Sequence, residues 1–187
     1  CASKRIWARR AAIRDAKLRC EKVDLPVMVK RFCLYYDRLA AQKQIRCLSE
    51  STVDVPSVWT DRVVTAAVLE NLFSNAVKYS PPGTRIRVQV SADRDGVVCT
   101  VRDEGPGLSE EDQAKLFQPG ARLTPKPTGG EASTGYGLAV AKELIERLGG
   151  TIWCESVLGK GACFSFRLPR YQEEVHGSTE RLLRLTP

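Results

Sequence analysis

Leu69-Glu-Asn-Leu-Phe-Ser-Asn-Ala-Val-Lys-Tyr-Ser-Pro-Pro-Gly83 is the stretch from which the rest of this 187-residue chain can be read. It forms the second half of an expected helix that starts near Thr60 or Asp61, either of which can cap it. Val64, Val68 and Leu72 recur every fourth residue and make one apolar stripe. Asn71, Asn75 and Lys78, at i, i+4 and i+7, share a neighbouring face. Spacing alone leaves two readings open, a solvated face or a ligand face. Mid-helix amides are mediocre helix formers, yet two stand one turn apart in an otherwise apolar segment. Two amide oxygens completed by water and phosphate oxygens make a Mg²⁺ shell, and a lysine one turn on can meet phosphate charge.

Upstream, residues 3–20 lack Gly and Pro and place Ile6, Ile13 and Cys20 seven apart, a thin helical seam. Val23 and Leu25 suggest a short strand. Pro26 suits the first turn of a helix whose apolar positions are Val29, Phe32, Cys33, Tyr36 and Leu39. Residues 45–48 and 58–59 read as strands. Downstream the period changes to two. Ile86, Val88 and Val90 alternate with Arg85, Arg87 and Gln89, and after the turn signal Asp95-Gly96 the set Val97, Cys99, Val101 resumes. Asp103 keeps that inward parity, so a carboxylate without an evident partner is expected on the buried side. Residues 104–134 follow neither period, a loop of functional length. Leu138, Ala141, Leu144, Ile145 and Leu148 predict a helix stopped by Gly149-Gly150. Residues 151–155 and 162–168 form an expected hairpin about Gly159-Lys-Gly161. Residues 171–187 read as a loosely held tail.

Composition narrows the classes. Hydrophobic content of 43% suffices for one core. No apolar run reaches the ~18–20 residues a membrane span needs, so a soluble piece is expected, cytoplasmic in its own right or as the cytoplasmic part of a membrane-bound sensor. The opening at Cys1 suggests a fragment of a longer protein. Seven cysteines without a Cys-x-x-Cys pair, and one histidine, His176, argue against zinc and against a closed disulfide framework. The +7 charge is uneven: residues 1–46 carry 13 Lys/Arg against 4 Asp/Glu. A basic arm can meet nucleic acid or lipid, but with no interleaved aromatics beyond Trp7 a solvated helix face is expected and no nucleic-acid partner.

Four elements would have to meet: the Asn71 face, Asp103-Glu-Gly-Pro-Gly107, Thr134-Gly-Tyr-Gly-Leu138 opening a helix whose N–H groups favour phosphate, and Gly159-Lys-Gly161. In this order, with Leu116-Phe-Gln-Pro119 between the second and third, the motifs resemble the N, G1, F, G2 and G3 boxes of sensor histidine kinases. That group shares an ATPase superfamily with gyrase, chaperone and mismatch-repair enzymes. The resemblance covers about residues 22–169. It implies an α/β two-layer sandwich, a mixed, mostly antiparallel sheet with helices on one face and a flexible ATP lid. It implies residues 1–21 as the end of a helical dimerisation region, 22–170 as the catalytic domain and 171–187 as a tail.

Carried over residue by residue, the resemblance implies that Asn75, with Asn71 beside it, holds Mg²⁺ and that Lys78 touches phosphate. Tyr79 packs near the nucleotide, and Asp103 accepts a hydrogen bond from the adenine amino group. Gly105 and Gly107 let the base approach, and Leu108 belongs to the same nucleotide site. Phe117 anchors the lid and Arg122 reaches the terminal phosphate. Gly135, Gly137 and Leu138 offer backbone N–H groups to the phosphates, with Thr134 and Tyr136 in the same nucleotide-binding box. Guanine would present a carbonyl to Asp103, a mismatch that can cost discrimination of order 10⁴. Where hydrolytic relatives hold a water-activating glutamate, this chain has Asn71, and Glu70 points about 100° away. ATP and Mg²⁺ are therefore the expected ligands, and transfer to a histidine upstream the expected reaction. The partners implied are phosphoacceptor helices of the same or a partner chain, a response regulator and a second copy in a homodimer. The alternative is a nucleotide-binding module without transfer, motivated by Gln118, Gly120 and Ala162, which depart from the family pattern.

Overall fold

The computed structural model describes residues 17–52, 54–130 and 135–173. In chain order these form β1 (Glu21–Val23), α1 (Leu25–Ala40), a 3₁₀ turn (Ala41–Lys43), β2 (Arg46–Ser51), β3 (Val58–Thr60), α2 (Arg62–Tyr79), β4 (Arg85–Asp93), β5 (Gly96–Arg102), α3 (Glu110–Lys115), α4 (Gly137–Arg147), β6 (Thr151–Ser156) and β7 (Ala162–Leu168). Five strands make the main sheet in the order β2-β4-β5-β7-β6, and β1 pairs with β3 apart from it. β2 runs parallel to β4 and every other pairing in the sheet is antiparallel.

The alternation seen in the sequence becomes the core face. Val90, Cys99 and Phe166 lie in one cross-strand row, and Val88, Val101 and Phe164 in the next. All six are buried, and α1, α2 and α4 pack over that face. The opposite face is polar. Arg87 and Arg102 are opposed there, and Arg167 bonds Asp93 at 2.7 Å while lying over Trp153. This is the expected two-layer sandwich, a mixed and mostly antiparallel sheet with helices on one face.

Local chemistry sets the helix boundaries. Asp24 accepts from Val27 N at 2.9 Å, with Pro26 in the first turn, and so starts α1. Asp61, not Thr60, caps α2, accepting from Val63 N and Val64 N through Oδ1, and its Oδ2 accepts from Arg19 N at 2.8 Å. α2 buries Val64, Val68, Leu69, Leu72 and Phe73 on more than one side because α1 and α4 flank it over the sheet.

Four expectations change. Leu25 opens α1 instead of lying in the short strand with Val23. Leu39 is 52% exposed, and Ala40 takes the inward place at the end of α1. The stretch 104–134 is not structureless, since it contains α3, started by Ser109 Oγ accepting from Asp112 N at 3.1 Å. Tyr171 is no tail residue: its N–H bonds Ser57 O at 2.7 Å and its ring packs on Trp59. Residues 1–16 and 174–187, with Ile6, Ile13 and His176, lie outside the described residues.

Candidate functional site

α2 brings its polar face to a cleft of about 780 Å³. Asn71 is 2% exposed, and its Nδ2 donates to Ala67 O one turn back at 3.0 Å. That bond commits the amide nitrogen to the helix, so Oδ1 is the atom suited to a cation or a donor. Asn75 and Lys78, half-buried on the same face, line the cleft beside it. Ser74 also lines it.

Asp103 follows the end of β5 and is 5% exposed. The donors missing from the sequence reading are backbone groups: Gly105 N at 2.8 Å and Ala162 N at 3.2 Å, both on Oδ1. Oδ2 is thus the oxygen placed to meet a ligand donor. Burial pushes the Asp103 carboxyl above the usual carboxylate range, and the two N–H bonds oppose that shift. Gly105 is required by this arrangement, because a Cβ there would stand 2.8 Å from Asp103 Oδ1 and 2.9 Å from Tyr79 O. Gly107 holds φ +69°, and a Cβ there would collide with the Val157 carbonyl of the β6–β7 loop, which closes on the cleft wall.

The remaining side comes from residues 116–127 and from the start of α4. Tyr136 occupies the N-cap of α4 and its side chain makes no capping hydrogen bond there; the first N–H groups and positive dipole end of such a helix suit an anion. Gly135, Tyr136, Gly137 and Leu138 line the cleft, as do Tyr79, Asp103, Gly107, Leu108 and Arg122. Two expected residues are not on its wall. Gly105 supports Asp103 from behind, and Phe117 packs partly buried against the core with Lys142 Nζ 6.0 Å from its ring. Thr134 lies outside the described residues. Glu70, expected to point away, is exposed yet still borders the cleft.

Sequence reasoning missed Ser74, Leu116, Lys126 and Phe164. Ser74 stands three residues after Asn71, so the helical period could have found it. Lys126 sits in a stretch without periodicity and gave no signal. The wall combines a buried carboxylate, Asp103, with three cations, Lys78, Arg122 and Lys126, and the N-terminus of α4. Such a site can accept a hydrogen bond from a flat polar group and neutralise several negative charges.

The profile described as "Histidine kinase-, DNA gyrase B-, and HSP90-like ATPase" matches residues 60–172. The chain is 34% identical over 152 residues to the adaptive-response sensory kinase SasA of Crocosphaera subtropica, covering 81% of this chain and 39% of that protein. It is 40% identical over 109 residues to the sensor histidine kinase WalK of Bacillus subtilis, covering 57% of this chain and 18% of that protein. Among solved structures, full-length ShkA in complex with AMPPNP has a TM-score of 0.76 at 25% identity, covering 89% of this chain and 35% of that one. The catalytic domain of histidine kinase ThkA has a TM-score of 0.71 at 25% identity, covering 81% of this chain and 96% of that one. The chain spans less than half the length of the curated relatives it matches.

Proposed function

Because the chain belongs to the histidine kinase-, DNA gyrase B- and HSP90-like ATPase family, we propose that its cleft holds MgATP for transfer of the γ-phosphoryl group to a histidine upstream of the catalytic domain. The observation that carries the reading is the pairing of a buried carboxylate, Asp103, with a wall of amides and cations, Asn71, Asn75, Lys78 and Arg122. Asp103 Oδ2 accepts from the adenine amino group, while its Oδ1 stays fixed by the Gly105 and Ala162 N–H groups. The N–H groups at the start of α4 take phosphate oxygens, as helix N-termini do. Lys78 and Arg122 offset the charge that the transferring group spreads over its oxygens.

The amide oxygens of Asn75 and Asn71 fit a hard, oxygen-seeking cation. Magnesium bound with the nucleotide would supply charge neutralisation between the phosphates. In the transfer the bond from the γ-phosphorus to the bridging oxygen breaks, a bond to an imidazole nitrogen forms and ADP leaves. Asn71 cannot take a proton from water, so the domain supplies position and charge but no activated water.

The whole protein around this domain is read in the same way. Residues 1–21 end a dimerisation region that leads from the acceptor, residues 22–170, with Tyr171 packed on them, are the catalytic domain, and the full protein works as a homodimer, with this part in the cytoplasm, passing phosphate to a response regulator. Incubating a chain extended through the upstream helices with γ-labelled ATP tests the transfer. Acid-labile label on histidine is the expected result. Bound ATP with no label on any partner would leave the nucleotide-binding module without transfer, and steady phosphate release would make the chain a hydrolase.

A further inference from the structure

α2 ends in a turn whose carbonyls the following sequence cannot satisfy. In an α-helix, Val77 O and Lys78 O would accept from the N–H groups of residues 81 and 82. Both are prolines and carry no N–H. The two carbonyls are taken up from elsewhere. Lys43 Nζ, from the 3₁₀ turn, reaches Val77 O at 3.3 Å. Thr128 N donates to Lys78 O at 2.9 Å. The Thr128 hydroxyl lies 3.0 Å from Lys78 O and 2.9 Å from Ser80 O, and it accepts from Lys43 Nζ at 3.2 Å.

Four residues earlier the chain is held a second time. Asp112 of α3 has a side chain 2% exposed, unlike its exposed neighbours Glu110 and Glu111. Both of its oxygens accept from Thr124 N, at 3.2 Å each, and Lys115 Nζ stands 3.6 Å from Oδ1. A carboxylate so buried would be costly without those donors. Between the two anchored residues lie Pro125, Lys126 and Pro127, all on the cleft wall, and two fixed proline φ angles leave little slack.

We propose that Thr124-Pro-Lys-Pro-Thr128 is a stiff strap pinned at both ends, and that Asp112 and Lys43 are positioning residues that hold Arg122 and Lys126 over the cleft. Arg122 is two residues from the Asp112 pin, and the other pin is the backbone of the turn that carries Lys78. Loosening either end would therefore disturb the cations of the phosphate side together. The functional half rests on the cleft being a nucleotide site; the pinning itself does not.

Hydrogen exchange of the nucleotide-free chain, followed by MgATP titration, separates the two halves. In Asp112→Ala the Thr124 amide is expected to exchange about tenfold faster, and the Kd for MgATP to rise about tenfold, while amides of β4, β5 and β7 keep their protection. Asp112→Asn, which retains an acceptor oxygen, should recover part of both effects. Thr128→Val and Lys43→Met test the other pin and keep the idea exposed should Asp112→Ala fail to fold. Unchanged exchange at Thr124 in a folded Asp112→Ala chain overturns the pinning. Fast strap exchange with unaltered MgATP affinity overturns the positioning role. A wild-type chain with protected strap amides but no saturable MgATP binding removes the nucleotide reading and leaves the pinning standing.

Discussion

Asp103 and Asn71 carry most of the chemical argument at the scale of single residues. Asp103 must be ionised to accept from an adenine amino group, and burial holds its pKa above the ordinary value. MgATP affinity should therefore fall as the pH drops, starting at a higher pH than an exposed carboxylate near ~3.9 would allow. The stability of the nucleotide-free chain moves the other way. A raised folded-state pKa means the folded chain takes up this proton more readily than the unfolded one. The stabilising contribution is full in acid and is lost as pH rises through the folded value. Titrations of binding and of unfolding across the same pH range check both signs. Asp103→Ala removes a charged acceptor worth about 1.5–3 kcal/mol, so the Kd should rise roughly 10- to 150-fold. Asn71→Glu places a carboxylate beside the cleft, where burial would raise its pKa and favour a general base. Phosphate release in the absence of any acceptor should increase, and a phosphate-coupled assay would show it.

α2 is the element on which site and core depend together. Phe73 is fully buried and stacks on Tyr36 of α1 at 5.1 Å, with Phe32 6.0 Å away. Phe73→Ala should cost about 3–5 kcal/mol, against about 0.5–2 kcal/mol for removing the Asp61 cap in Asp61→Ala. Denaturant unfolding of the two variants checks that order. The phase of α2 was legible because Val64, Val68 and Leu72 keep the helical period and Asp61 marks its start. The strand faces were legible for the same reason, since Ile86 to Val101 alternate. Leu39 was misplaced because Val29, Cys33, Tyr36 and Ala40 already complete the buried stripe of α1 and leave Leu39 at its edge in solvent. α3 escaped because six residues are too few to show a period, although Ser109 followed by three acidic residues is a capping signal. The strap was unreadable because its pins join residues 12 and 50 apart in sequence.

Over the whole molecule, the sheet brings together parts of the site that are distant in the chain. β5 lies between β4 and β7, so Asp103, just past the end of β5, meets Ala162 at the start of β7 across 59 residues. The glycine-containing motifs were legible as a series, but their convergence depends on that strand order, which alternation cannot supply. Among the described residues no helix is long and apolar enough to cross a membrane. The chain covers under half of the curated relatives it matches, and on the proposed reading its part in the transfer is to hold the nucleotide. Calorimetric titration of this chain with MgATP and MgGTP tests that claim most directly. Saturable one-to-one binding of MgATP is expected, with MgGTP at least 100-fold weaker and the preference lost in Asp103→Ala, because guanine sets a carbonyl against that carboxylate. Equal affinity for the two nucleotides, or no saturable heat with either, would contradict it.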